Sequence, residues 1–114
     1  MEAALYDLSF SQGDGFTLPL TIKAAGIAMD LTGYTGLAQI RKRAGAPVLA
    51  TFAIGIPDQS ILANRGKVTL SLTGAQSAAL PAACAYDFEL VPLGSDPQTY
   101  LYGDIKVRAQ VSTP

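Results

Sequence analysis

Asp87 and Glu89 stand two residues apart in Tyr86-Asp87-Phe88-Glu89-Leu90, a stretch that alternates apolar and polar side chains. On a β-strand that spacing projects both carboxylates from one face. Such a pair performs glycoside hydrolysis when it flanks a cleft and one member is held protonated. The face shared here is the polar one, so cross-strand ion pairs with Lys106 and Arg108 on the next strand are expected instead, each worth under about 1 kcal/mol. Cys84 is the one cysteine, and the chain has no histidine. The imidazole base, metal ligand and triad partner are therefore missing. Flanked by Ala82, Ala83 and Ala85, Cys84 reads as a buried or half-buried structural thiol. A single cysteine closes no intramolecular disulfide and fits a reducing compartment.

The other polar signals are turn signals. Gly13-Asp14-Gly15 is too short for a phosphate loop and lies between strands rather than ahead of a helix. Asp14, Asp30, Asp58 and Asp96 are scattered in turns, without the dense oxygen spacing of a calcium loop. Arg41-Lys42-Arg43 runs into Ala44-Gly45-Ala46-Pro47, which makes it a solvated strand end rather than a phosphate site. No catalytic residue, no cofactor and no metal ligand is expected.

The elements that must carry these residues have a period of two, the mark of strands with one buried face. Tyr6, Leu8 and Phe10 alternate with polar neighbours, and after Gln12-Gly13-Asp14-Gly15 so do Phe16, Leu18, Leu20 and Ile22. Pro19 places this second strand at a sheet edge or on a bulge. Asp30-Leu31-Thr32-Gly33 is a turn with one apolar anchor, and a third strand over 36–43 turns Ala38 and Ile40 inward. Val48, Ala50, Phe52 and Ile54 mark a fourth strand; 55–66 is the least regular stretch; Val68, Leu70 and Leu72 mark a fifth. Thr73-Gly74-Ala75-Gln76 has the spacing of a capping box and predicts one short helical turn, stopped by Pro81. Tyr86, Phe88 and Leu90 carry the sixth strand. Ile105, Val107, Ala109 and Val111 carry the last, in which Gly103 suggests a bulge or bend.

Seven strands spaced by turns predict one all-β domain over 1–114, an Ig-like antiparallel β-sandwich with one short helical turn. Tyr86, near the start of the sixth strand, is either a tyrosine corner or a core tyrosine. At 114 residues the chain buries a core without staples. Its N-terminus, Met1-Glu2-Ala3-Ala4-Leu5-Tyr6-Asp7, has no basic region before an apolar run, so no signal peptide is expected. A net charge of −1 gives no electrostatic case for nucleic acid or an anionic membrane. Charged residues make up 15%, against roughly 25% in typical soluble domains, and mean hydropathy is +0.28. So little charge suggests a surface partly covered by other subunits. Candidate contact residues are Pro19, Ile56, Ile61 and Leu62, with Tyr100 and Tyr102 added because aromatics are enriched at interface cores.

The order of motifs carries a resemblance. Gln12-Gly13-Asp14 closes a first strand; Asp30-Leu31-Thr32-Gly33, Ala38-Gln39-Ile40-Arg41 and Gly66-Lys67-Val68-Thr69-Leu70 follow; Tyr86-Asp87-Phe88-Glu89-Leu90 and Gly103-Asp104-Ile105-Lys106-Val107 come last. This succession is similar to small tail and baseplate proteins of bacteriophages, including the N-terminal Ig-like domain of baseplate upper proteins. The resemblance implies a non-enzymatic virion component assembled in the host cytoplasm. Its partners would be tail, baseplate or fibre proteins and other copies of itself. The alternatives are a host-surface receptor- or carbohydrate-binding module and a capsid decoration protein.

Overall fold

The computed structural model describes residues 4–109. In chain order the strands are β1 (Ala4–Leu5), β2 (Leu8–Ser11), β3 (Phe16–Thr21), β4 (Lys23–Ala24), β5 (Ile27–Ala28) and β6 (Thr35–Arg41). They continue as β7 (Val48–Thr51), β8 (Ala53–Gly55), β9 (Lys67–Leu72), β10 (Ala83–Val91) and β11 (Gln98–Arg108). One sheet runs β1-β11-β10-β6-β7, with β2 continuing β1 along β11; the other runs β3-β9-β8. Their inner faces meet in one core: Ile40, Phe88 and Ile105 come from the first sheet, Val68 and Leu70 from the second. This is an all-β sandwich with immunoglobulin-like strand order. It is not wholly antiparallel, because β1 and β2 lie parallel to β11.

Alternation built most of it. β9 buries Val68, Leu70 and Leu72, and β10 buries Cys84, Tyr86, Phe88 and Leu90. Pro19 sits on β3, an edge strand of the smaller sheet, where a missing N–H costs least. The short helix α1 (Gly74–Ala78) opens with the expected capping box: Thr73 and Gln76 bond each other's backbone N–H. Ser77 on α1 is fully buried; its hydroxyl accepts from the Gly13 N–H at 3.0 Å and donates to the Asp14 carbonyl at 2.7 Å. The helix is thereby fastened to the β2–β3 turn.

The expected fourth strand is in fact two. β7 pairs with β6 and β8 with β9, so the chain changes sheet at Phe52. Small residues on the inner face of β6 permit the crossing: a Cβ on Gly36 would lie 2.8 Å from Ile54 Cγ2, and the Phe52 N–H donates to the Ala38 carbonyl at 2.8 Å. Phe52 then packs between Phe16 and Tyr86, with ring centroids 6.4 and 6.0 Å away. Phe10 extends this aromatic line at 4.8 Å from Phe16. Such contacts tie both sheets to the crossing residue.

The N-terminal strand breaks at Tyr6 and Asp7, so Tyr6 is exposed although alternation would bury it. At the break the Asp7 carboxylate accepts from the Asp104 N–H at 2.9 Å, taking over one rung of the ladder. The buried Tyr86 hydroxyl donates to the freed Tyr6 carbonyl. A tyrosine corner would bond backbone a few residues upstream; this bond spans eighty positions. Gly103 is needed because any Cβ there would overlap the Tyr6 carbonyl. It is not the bulge: the β10–β11 register slips between Phe88 and Glu89, which leaves Tyr100 as the extra residue.

Burial pushes the Tyr86 hydroxyl up to about 12, with Tyr6 and Asp7 adding to the shift. A raised folded value means this contribution to stability is complete below the unfolded value of 10 and is lost as pH climbs toward 12. Urea midpoints should therefore fall steeply between those pH values. Tyr86→Phe should remove most of that slope while costing about 1 kcal/mol at pH 8 through the orphaned Tyr6 carbonyl. Urea titrations followed by circular dichroism test both.

Candidate functional site

Three connections gather at one end of the sandwich. Thr21 at the end of β3 is opposite Lys67 at the start of β9, and Val91 at the end of β10 is opposite Thr35 at the start of β6. The segments 22–34, 56–66 and 92–97 therefore emerge together. In the first, β4 and β5 form a hairpin whose turn residues, Ala25 and Gly26, both adopt positive φ, 51° and 80°, the pattern of a type I′ turn. In the second, Leu62–Asn64 make a single 3-10 turn.

A buried amide joins two of these segments. The Gln59 Oε1 atom accepts from the Leu31 N–H at 3.1 Å and the Gly66 N–H at 3.0 Å. Its Nε2 donates to the carbonyls of Pro57 at 2.8 Å and Asn64 at 2.9 Å. Leu31, the anchor of the Asp30–Gly33 turn, is fully buried beneath this network. Asp30 and Asp58 brace the adjacent turns by accepting from the N–H and hydroxyl of Thr32 and Ser60. Those hydrogen bonds hold both carboxyls below their ordinary value. The third segment closes on the first where Leu93 lies against Gly33.

From this braced end project the three most exposed large apolar side chains among the described residues. Leu93, Leu62 and Ile27, one from each segment, are 85%, 76% and 73% exposed. Ile61, at 52%, adds to them. Scattered surface leucines need no explanation, but several on one braced end do. The exposed charges around them balance, with Lys23, Arg65 and Lys67 against Asp30, Asp58 and Asp96.

A second surface is the outer face of the larger sheet. Strand register sets Leu5, Tyr102, Asp87, Gln39 and Thr51 in one row across five strands. A neighbouring row runs Asp104, Ala85, Arg41, and another runs Thr99, Glu89, Leu37. Over the small Ala85 side chain lies a groove of about 520 Å³. Arg41 is held by the Ala46 carbonyl and by Gln39 Oε1, the latter at 3.2 Å. Asp87, Glu89 and the Tyr102 hydroxyl have no hydrogen-bond or ion-pair partner among the described residues.

The expected ion pairs do not form. β11 sets Lys106 opposite Ala83, four residues from Asp87, which is about 13 Å at roughly 3.3 Å per residue. Arg108 lies beyond the β10 pairing, beside Ser11 of β2. Of the candidate contact residues, Ile61 and Leu62 are exposed at the loop end, Tyr102 is exposed on the sheet face, and Pro19 is exposed on its edge strand. Ile56 and Tyr100 are half-buried and pack against the core, where burial raises the Tyr100 hydroxyl's pKa. Ile27, Leu93, Leu5 and Leu37 are exposed as well. Only the turn glycines beside Ile27 and Leu93 could have signalled the first two. Among the described residues no three His, Cys, Asp or Glu side chains converge, and no helix is long and apolar enough to cross a membrane.

Gln59→Leu should cost about 1–3 kcal/mol in urea denaturation by stranding buried amides, and should speed hydrogen exchange at Leu31 and Gly66. Cys84 is buried and its thiol pKa is raised by that burial, against a smaller opposing pull from Lys42. A thiol reagent should therefore modify Cys84 no faster than the chain unfolds; rapid labelling of the native protein would contradict this. Compared with models of known protein families and with curated protein sequences, the chain matches none.

Proposed function

We propose that this protein is a non-enzymatic docking module of a bacteriophage virion, placed in the tail, baseplate or fibre-attachment region. The observation that carries the reading is the loop end, where Ile27, Leu62 and Leu93 stand out from three segments, two of them braced by Gln59 and the third closed on the first at Gly33. Covering one such side chain contributes about 1.5–3 kcal/mol. The balanced charges around them favour a protein partner over an anionic surface. Low charge over the whole chain and the order of its motifs support the same reading. Other copies of the chain and neighbouring tail or fibre subunits are the partners this reading names.

Electron microscopy with an antibody against the domain should label virions at a fixed position. Light scattering should show the purified protein joining a larger species when its partner is added. Leu62→Glu with Leu93→Glu should leave the urea midpoint unchanged, since both side chains are exposed, yet remove the label from particles. A monodisperse monomer absent from every particle would defeat the proposal.

A further inference from the structure

We infer that the groove on the outer face of the β1-β11-β10-β6 sheet is a binding site for a neutral saccharide ring. The inference does not rest on the docking reading, because none of the loop-end apolar residues lines the groove. Its size, about 520 Å³, lies within the roughly 300–1,000 Å³ of small-molecule clefts. The chemistry follows from the row Leu5–Tyr102–Asp87–Gln39. Cross-strand neighbours on one face stand about 5 Å apart, so an exposed aromatic ring and an amide flank a carboxylate over about 10 Å, and side chains from both sides can reach a ring seated above Asp87.

A pyranose has an apolar C–H face and a rim of hydroxyls. Tyr102 and Leu5 supply the apolar surface for the first. For the second, Asp87 and Glu89 are acceptors without partners among the described residues, and the Gln39 amide nitrogen is likewise a donor left unused there once its oxygen accepts from Arg41. Hydrogen bonds from hydroxyls to ionised carboxylates are among the stronger kinds. The charges on the lining are mixed, with Arg41 and Arg43 against Asp87, Glu89 and Asp104, so neither an anion nor a cation meets a site of one sign. Arg41 is moreover turned toward the Ala46 carbonyl and Gln39 Oε1. A neutral, hydroxyl-rich ring fits both halves.

The test is a ¹H–¹⁵N NMR titration of the whole chain with glucose, galactose and N-acetylglucosamine, and with lactose, cellobiose and chitobiose. At least one should give saturable shifts confined to 37–41, 85–89 and 101–104, with a Kd on the order of 1 mM for so open a site. The disaccharide arm shows whether one ring suffices or a glycan chain is the ligand. Tyr102→Ala and Asp87→Asn, both at exposed positions, should each weaken that binding at least tenfold; Tyr102→Phe should retain it, and Leu62→Glu should leave it unchanged. The absence of saturable shifts with all six sugars at about 50 mM, far above a millimolar Kd, would overturn the assignment. So would shifts at the loop end alone, or displacement of the sugar by sialic acid or oligolysine at lower concentration.

Discussion

The side-chain amide of Gln59 directs both of its lone pairs and both of its N–H groups to backbone atoms, three in its own segment and one, the Leu31 N–H, in the segment 22–34. The loop end depends on this. Leu31 and Gly66 lie where no strand ladder reaches them, and without the amide their N–H groups would be buried and unpaired, at a cost that folding cannot easily absorb. With it, the irregular segment between β8 and β9 becomes a fixed platform. Ser77 does the corresponding work at the opposite end, where it joins α1 to the β2–β3 turn. Beside the Tyr86 hydroxyl and the Cys84 thiol, these are the two buried polar side chains among the described residues. The hydrophobic core closes the sandwich, and one satisfied polar group at each end fixes how its loops leave it.

Where one face of a strand is simply buried, the sequence was legible. Val68-Thr69-Leu70-Ser71-Leu72 and the capping box at Thr73 and Gln76 state their own structure, because period and cap are local. What escaped was set by distant partners. Val48 to Ile54 alternates like a single strand, yet the change of sheet at Phe52 is permitted by Gly36 and Ala38 on another strand. The β4–β5 hairpin went unseen because its turn is Ala25-Gly26, without the Asn-Gly or Asp-Gly that announces a type I′ turn. The ion pairs failed on register: neighbouring strands were rightly identified, but not which residues stand opposite.

The two candidate surfaces differ in kind. The loop end displays exposed branched aliphatic side chains, which suits burial against another protein. The sheet face sets one aromatic ring beside carboxylates and an amide, which suits a small polar ligand. Of the residues singled out for contact, Ile61 and Leu62 fall on the first and Tyr102 on the second, while Ile56 and Tyr100 belong with the core. Composition identified the apolar and aromatic residues but not which would be covered. Tyr102 follows Asp104 and Lys106 to the outer face by alternation, whereas the β10–β11 slip makes Tyr100 the extra residue and takes it out of that row.

The parallel pairing of β1 and β2 with β11 has a mechanical consequence. The chain enters along β1 and leaves along β11 in the same direction, so the two exits lie at opposite ends of that shared seam. Tension drawn through the polypeptide along the seam pulls these strands lengthwise past one another. The hydrogen bonds between them, with the Asp7 rung and the Tyr86 tie, are then loaded together in shear rather than peeled apart one after another. A domain threaded this way resists tension along its own backbone better than tension across it.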